Sequence, residues 1–190
     1  REDALEVLEH AFRDLELKGL KLNPAKQKFF PDDPIMNPIY ELCIRYNRPI
    51  IFHAGLSWEP NTITEYAYPL KFERVATRYP QRMCLAHFAW PFVREMVMLM
   101  IKYPNVYTDT SVLYLDSPEE SIARLFTVDM GPLWVDRALY RQIMFASNGP
   151  RFRQFKILRA LEKIPMRDYA REGIYYKNAL RFLGEETEEW

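Results

Sequence analysis

No apolar stretch in this sequence approaches the about 20 residues needed to cross a bilayer. Neither charge sign is in excess, since 26 Lys and Arg stand against 26 Asp and Glu. That balance removes the electrostatic footprint of a nucleic-acid or anionic-membrane binder and leaves only local basic patches such as Arg151 and Arg153. Cysteine is scarce. Cys43 and Cys84 are the two present, each sits inside an apolar pattern, and neither has a C-x-x-C partner. Buried, reduced thiols are expected rather than a disulfide. Low-complexity segments and interdomain linkers are also lacking, and Arg1-Glu2-Asp3 begins a charged amphipathic helix rather than a signal peptide. Together these features lead to the expectation of a cytoplasmic protein that binds neither membrane nor nucleic acid.

What is present suits one folded unit. The composition is 48% hydrophobic and 27% charged, and 190 residues suffice to bury one sizeable core, so a single domain over 1–190 is expected. Five short apolar runs recur, each ending on a side chain able to bind a metal or carry a proton. Gly19-Leu20-Lys21-Leu22 ends on Asn23, Pro49-Ile50-Ile51-Phe52 on His53, and Arg82-Met83-Cys84-Leu85-Ala86 on His87. Asn105-Val106-Tyr107-Thr108 ends on Asp109, and Gln142-Ile143-Met144-Phe145-Ala146-Ser147 on Asn148. Short apolar runs bounded by Gly or Pro read as strands, and their alternation with helical patterns implies a parallel sheet. In such sheets functional groups gather at the carboxyl ends of the strands.

Helical spacing is expected over 2–15, after Asn37-Pro38 as N-cap and first turn, over 66–78, and from Trp90-Pro91 to Tyr103. Ser117-Pro118-Glu119-Glu120 is a further helix start of capping-box type. Segments 152–162, 166–173 and 175–183 complete the set, with Gly184 as a C-cap before an acidic tail over 185–190. Five parallel strands suit either an open doubly wound sheet or part of an eight-stranded barrel, whose complete form needs about 250 residues. The pattern alone leaves both open.

The strand-end residues stand within flanking motifs. In order these are Gly19-Leu20-Lys21-Leu22-Asn23-Pro24, Pro49-Ile50-Ile51-Phe52-His53-Ala54-Gly55, Cys84-Leu85-Ala86-His87-Phe88 and Tyr103-Pro104-Asn105-Val106-Tyr107-Thr108-Asp109-Thr110-Ser111. Phe145-Ala146-Ser147-Asn148-Gly149-Pro150 and Lys177-Asn178-Ala179-Leu180-Arg181-Phe182-Leu183-Gly184 follow. Together they resemble the amidohydrolase-related family of metal-dependent hydrolases and decarboxylases. The resemblance implies an α/β fold, a partial (β/α)8 TIM-like barrel whose strands correspond to the family's fourth to eighth, plus C-terminal helices. It also implies one divalent metal ion, Zn2+ before others. By position His53 is similar to the family's fifth-strand metal ligand and His87 to its sixth-strand catalytic histidine.

The chain departs from the family pattern twice. It has no His-x-His pair, its histidines being His10, His53 and His87, and the expectation is that three β/α units lie outside these residues. Asn148 stands where the family has an aspartate, and a neutral amide binds a cation more weakly and cannot act as a base.

Each candidate also has a plain structural reading: a satisfied core histidine for His53 or His87, a turn residue for Asn148, a brace for the loop to Ser111 for Asp109. In a barrel Lys21, inside the first strand, needs a buried carboxylate or a substrate anion. Arg151 follows the eighth-strand loop, where anionic groups often bind in barrels, and is a candidate clamp on a substrate carboxylate. Trp58, in the loop after His53, is a further candidate substrate contact. The expected function is a metal-dependent hydrolase or decarboxylase acting on a small carboxylated molecule, with His87 and Asn148 at the chemistry and a homo-oligomer as the assembled form. Two alternatives stand beside it: a metal-independent, lactonase-like hydrolase, and a non-catalytic barrel remnant that stabilises an assembly through its open strand edges.

Overall fold

A computed structural model of the chain describes residues 3–111 and 117–185. Arg1 and Glu2, where the opening helix is expected to begin, and residues 186–190 of the acidic tail lie outside the described residues. Five strands form one parallel sheet: β1 (Leu20–Leu22), β2 (Ile50–Phe52), β3 (Met83–Leu85), β4 (Val106–Asp109) and β5 (Ile143–Met144). They lie in sequential order, β1-β2-β3-β4-β5. A doubly wound sheet reverses its strand order at a switch point. No reversal occurs here, so the sheet is an arc of a (β/α)8 barrel.

Strand register separates the two faces. Lys21, Ile51, Cys84 and Tyr107 pair laterally across β1 to β4 and therefore project to one side. That inner face carries a small cluster of Cys84, Tyr107 and Met144 closed by Phe182, with Ile51 and Ala179 against it. The opposite face bears Ile50, Phe52, Met83, Leu85, Val106 and Ile143, buried in the main core against the helices. Strands covered on both faces read as near-continuous apolar runs, which is why they were visible in the sequence. Cys43 and Cys84 are both free and buried. They sit in different clusters, and burial pushes the Cys43 thiol up to about 12.

The helices α1 (Ala4–Arg13), α2 (Pro24–Gln27), α3 (Asn37–Arg45), α4 (Glu73–Arg78), α5 (Val93–Lys102) and α6 (Pro118–Arg124) alternate with the strands. After β5 come α7 (Gln154–Glu162), α8 (Asp168–Glu172) and α9 (Asn178–Leu183), with a π-helical turn at Gly173–Lys177 joining the last two. Ser117 caps α6 as expected, accepting from the Glu120 N–H at 3.1 Å, and Gly184 ends α9 in the left-handed region at φ 75°.

Two expectations about helices change, and Asn23 takes a structural role. Asn37 lies inside α3 rather than capping it, and its amide oxygen accepts from the Tyr79 hydroxyl at 3.0 Å. The span 66–78 is broken at Pro69: two 3-10 turns (Thr64–Ala67, Pro69–Phe72) precede α4 because the ring holds Tyr68 extended at ψ 128°. Asn23, which ends the first run, spends its side chain capping α2 by accepting from the Lys26 N–H at 3.1 Å.

The barrel arc has two edges, and they differ. On the outer side of β5 the Phe145 N–H donates to the Ile174 carbonyl at 2.7 Å, and the fully buried Asn178 amide donates to the Ile143 carbonyl at 2.7 Å. The C-terminal segment thus takes up the hydrogen-bonding groups that an edge strand leaves open. At β1 no further strand follows among the described residues.

Candidate active site at the carboxyl rim

Extending the inner-face positions by two residues gives His53 from Ile51 and Asp109 from Tyr107, both at the carboxyl rim and both buried (each 8% exposed). Alternation alone would send His87 to the helix side. The backbone prevents this: His87, Phe88 and Ala89 are all left-handed, at φ 64°, 49° and 49°. The imidazoles of His53 and His87 end 5.1 Å apart between ring centroids, tilted by 60°.

Three consecutive non-glycine residues in the left-handed region are costly, roughly 1–2 kcal/mol apiece, and persist only where surrounding structure holds them. Two anchors do so here. The Asp109 carboxylate accepts the His87 N–H at 3.0 Å. The Leu56 N–H donates to the Trp90 carbonyl at 2.8 Å, bringing the loop after β2 against the turn. Gly55, at φ 80°, makes that approach possible: a Cβ there would lie 2.2 Å from the Trp90 oxygen and 2.4 Å from the Ala89 carbonyl carbon. Gly55, two residues after His53, therefore admits backbone.

Hydrogen-bond partners define the ring nitrogens. His53 Nε2 lies 3.2 Å from the Leu56 carbonyl, which can only accept, so Nε2 carries the hydrogen and Nδ1 keeps a lone pair. Loss of solvent, with the neighbouring His87 and Lys21 charges, pulls His53 down to about 4. Burial likewise lowers His87, opposed by Asp109. Both rings are neutral near pH 7, the form in which imidazole ligates a metal or accepts a proton.

Asp109 has the bracing role expected of it. Its Oδ1 accepts from the His87 and Ser111 N–H groups (3.0 and 3.1 Å) and from the Ser111 hydroxyl. Lys21 stands on the inner face of β1, exposed as a residue, yet burial around its ammonium pushes it down against the pull of Asp109 and Cys84.

The remaining candidates lie on the loops above the rim. Asn148 follows β5 in a left-handed conformation, φ 55°, and its carbonyl accepts the Arg151 N–H at 3.1 Å, so its visible part is that of a turn. Arg151 and Trp58 meet: the guanidinium lies 5.3 Å from the indole centroid, joining the loops after β5 and β2. The residue that sequence reasoning passed over is Ser111, whose hydroxyl lies 2.5 Å from His87 Nδ1. Its only signal is the Asp-x-Ser spacing at a strand end. Beside it a small cavity of about 40 Å3 is lined by His87, Asp109, Ser111 and Ser121 among others. That is room for a few waters rather than a substrate.

A divalent ion fits this donor set in part. An ion with an open position needs about three protein ligands. Imidazole nitrogen is a good donor for it, but among the described residues no group of three or more His, Cys, Asp or Glu converges as a cage. No helix among the described residues is long and apolar enough to cross a membrane.

The chain is similar in fold to several solved structures. A TIM-barrel protein of Bordetella bronchiseptica of uncharacterised function superposes with a TM-score of 0.79 at 20% identity, over 97% of this chain and 63% of that one. The 5-carboxyvanillate decarboxylase of Sphingomonas paucimobilis matches at 0.64 and 16% identity, over 95% and 62%. A dihydroxybenzoic acid decarboxylase of Polaromonas, solved with manganese and 2-nitroresorcinol, matches at 0.65 and 14%, over 96% and 65%. The chain thus spans under two thirds of each of these structures. No curated protein matches it. The sequence pattern of the amidohydrolase family does match, over residues 1–184, which takes in all five strands and every rim residue described above. By that match this chain belongs to the amidohydrolase family.

Proposed function

We propose that these residues are the C-terminal part of the barrel of a metal-dependent decarboxylase or hydrolase acting on a small carboxylated molecule, and that they form one domain. The observation that carries the reading is the pairing of His53 and His87 at one rim, both neutral near pH 7. His53 would hold the ion through Nδ1, the nitrogen its bond to Leu56 leaves open. The remaining ligands would come from β/α units outside these residues. Zn2+ suits imidazole donors, and Mn2+ is the ion in the Polaromonas relative. When bound, such an ion supplies Lewis-acid stabilisation and lowers the pKa of coordinated water.

The chain's own residues would do the rest. His87 would take or return a proton at Nε2. Lys21 and Arg151 would supply positive charge for a substrate carboxylate, and Trp58, against Arg151, would cover it. Asn148 would present its amide to the substrate without acting as a base. The decarboxylases it resembles act on carboxylated phenols by their names, so carboxylated aromatics are the first substrates to test. The β/α units outside these residues would cover the edge at β1, and the assembled form would be a homo-oligomer.

The test is elemental analysis together with turnover of hydroxybenzoates. Wild-type protein that includes those further β/α units should carry about one divalent ion per chain, and His53→Ala should lose it; equal metal in both would defeat the ligand assignment. Activity that survives exhaustive chelation would instead support metal-independent hydrolysis.

A further inference from the structure

Ser111 sits between a histidine and a carboxylate, and that order has a chemical consequence. Its hydroxyl lies within hydrogen-bond reach of Asp109 Oδ1 and 2.5 Å from His87 Nδ1. Its own carbonyl stands 3.3 Å from the same ring nitrogen. Two hydrogen placements are conceivable, and they differ sharply. Were the hydroxyl to donate to Nδ1, the serine oxygen would face the carboxylate with no proton between them, and the Ser111 carbonyl would face a nitrogen lone pair. With the hydroxyl donating to Asp109, its oxygen accepts the Nδ1–H, the carbonyl accepts from the same hydrogen at longer range, and every contact is attractive. Asp109 is itself held in place by the His87 and Ser111 N–H groups, so the relay has a fixed end.

We infer that Ser111 is a positioning residue that holds neutral His87 as its Nδ1–H tautomer, leaving the Nε2 lone pair as the ring's single basic site. In the more usual arrangement a carboxylate or carbonyl orients a catalytic imidazole directly. Here a serine is interposed, so the Asp109 charge reaches the ring through one hydroxyl. This deepens the reading of His87 as the proton-transfer group and rests on it for its relevance to turnover, although the tautomer itself does not depend on catalysis.

The experiment is long-range 1H–15N NMR on protein labelled at its histidines, with chelator present and at a pH where the rings are neutral. Two-bond couplings report which nitrogen carries hydrogen, and the His87 signals are assigned by their loss in His87→Gln. The wild type should show His87 protonated at Nδ1. An Nε2–H pattern for that ring would overturn the inference outright, whatever any variant does. Ser111→Ala should bring in a population of the Nε2–H form while leaving the His53 signals in place. Ser111→Thr, which keeps the hydroxyl, should restore the wild-type pattern. A Ser111→Ala spectrum identical to wild type would remove the serine from the relay. In a turnover assay Ser111→Ala should lower kcat on the order of tenfold with KM unchanged. Because the tautomer is read without substrate, an inactive protein with Nδ1–H His87 would count against the proposed function alone, and an active one with Nε2–H would count against the relay alone.

Discussion

The rings of His53 and His87 face each other 5.1 Å apart at the ends of adjacent strands. Two buried imidazoles that close cannot both take up a proton without repelling each other, and burial opposes even the first. Lys21 adds a third group that resists further positive charge on either ring. The rim therefore keeps two neutral nitrogen bases side by side, and takes up a proton at a cost that the fold itself sets.

That cost should appear in acid. His53 falls from 6.5 unfolded to about 4 folded, so between these values the unfolded chain binds a proton that the folded chain refuses. Stability from this source is complete above about pH 6.5 and is lost progressively as pH falls toward 4, by on the order of 3 kcal/mol. His87 shifts in the same direction and adds to it. Asp14, held low chiefly by its hydrogen bond from Arg13, titrates below this window. Urea midpoints measured with chelator at pH 7.5, 6 and 5 should fall steadily, and the fall should shrink in His53→Gln. A midpoint flat across that range would contradict the buried, neutral pair.

Gly55 should tolerate no side chain. Its φ of 80° already disfavours one, and a Cβ would sit within 2.5 Å of three atoms of the Ala89–Trp90 backbone. Gly55→Ala should cost more than about 2 kcal/mol in denaturant unfolding. The displaced turn carries His87, so metal-supported activity should fall further than stability. A variant as stable as wild type would mean that the two loops do not meet as described.

Arg151 and Trp58 should act as a pair at the mouth. At an exposed site their contact contributes only about 0.5–1 kcal/mol, so neither substitution should affect folding much. If Arg151 clamps a carboxylate, Arg151→Ala should raise KM for carboxylated substrates about tenfold or more while changing kcat little, and Arg151→Lys should not restore it. Trp58→Phe serves to isolate the Trp58 emission among the four tryptophans of the chain. Saturating substrate should change that emission in wild type and not in Arg151→Ala. Equal KM values in the two proteins would remove Arg151 from recognition.

Much of the scaffold was legible because it depends on local pattern. All five strands lie within apolar runs bounded by Gly, Pro or polar residues, and the Ser117 and Gly184 caps fall at their expected positions. Local reading failed where a distant partner intervened. Asn37 has the look of an N-cap, but the hydroxyl of Tyr79, just past the end of α4, claims its side chain. Segment 173–177 winds as a π turn, and Gly173 there packs where a Cβ would meet the Tyr140 carbonyl at 2.6 Å. Pro69 was readable and simply outweighed by the helical spacing around it.

The sequence by itself determined the number of strands, their alternation with helices, and which side chains arrive at strand ends, since these follow from the two-residue and 3.6-residue periods of side-chain direction. Only the tertiary structure decided between barrel arc and doubly wound sheet, because strand order depends on how each crossover packs. It also decided where His87 points. A left-handed turn that Asp109 and Gly55 jointly hold reverses the direction that alternation would assign, and contacts between residues so distant in the chain leave no periodic trace in it.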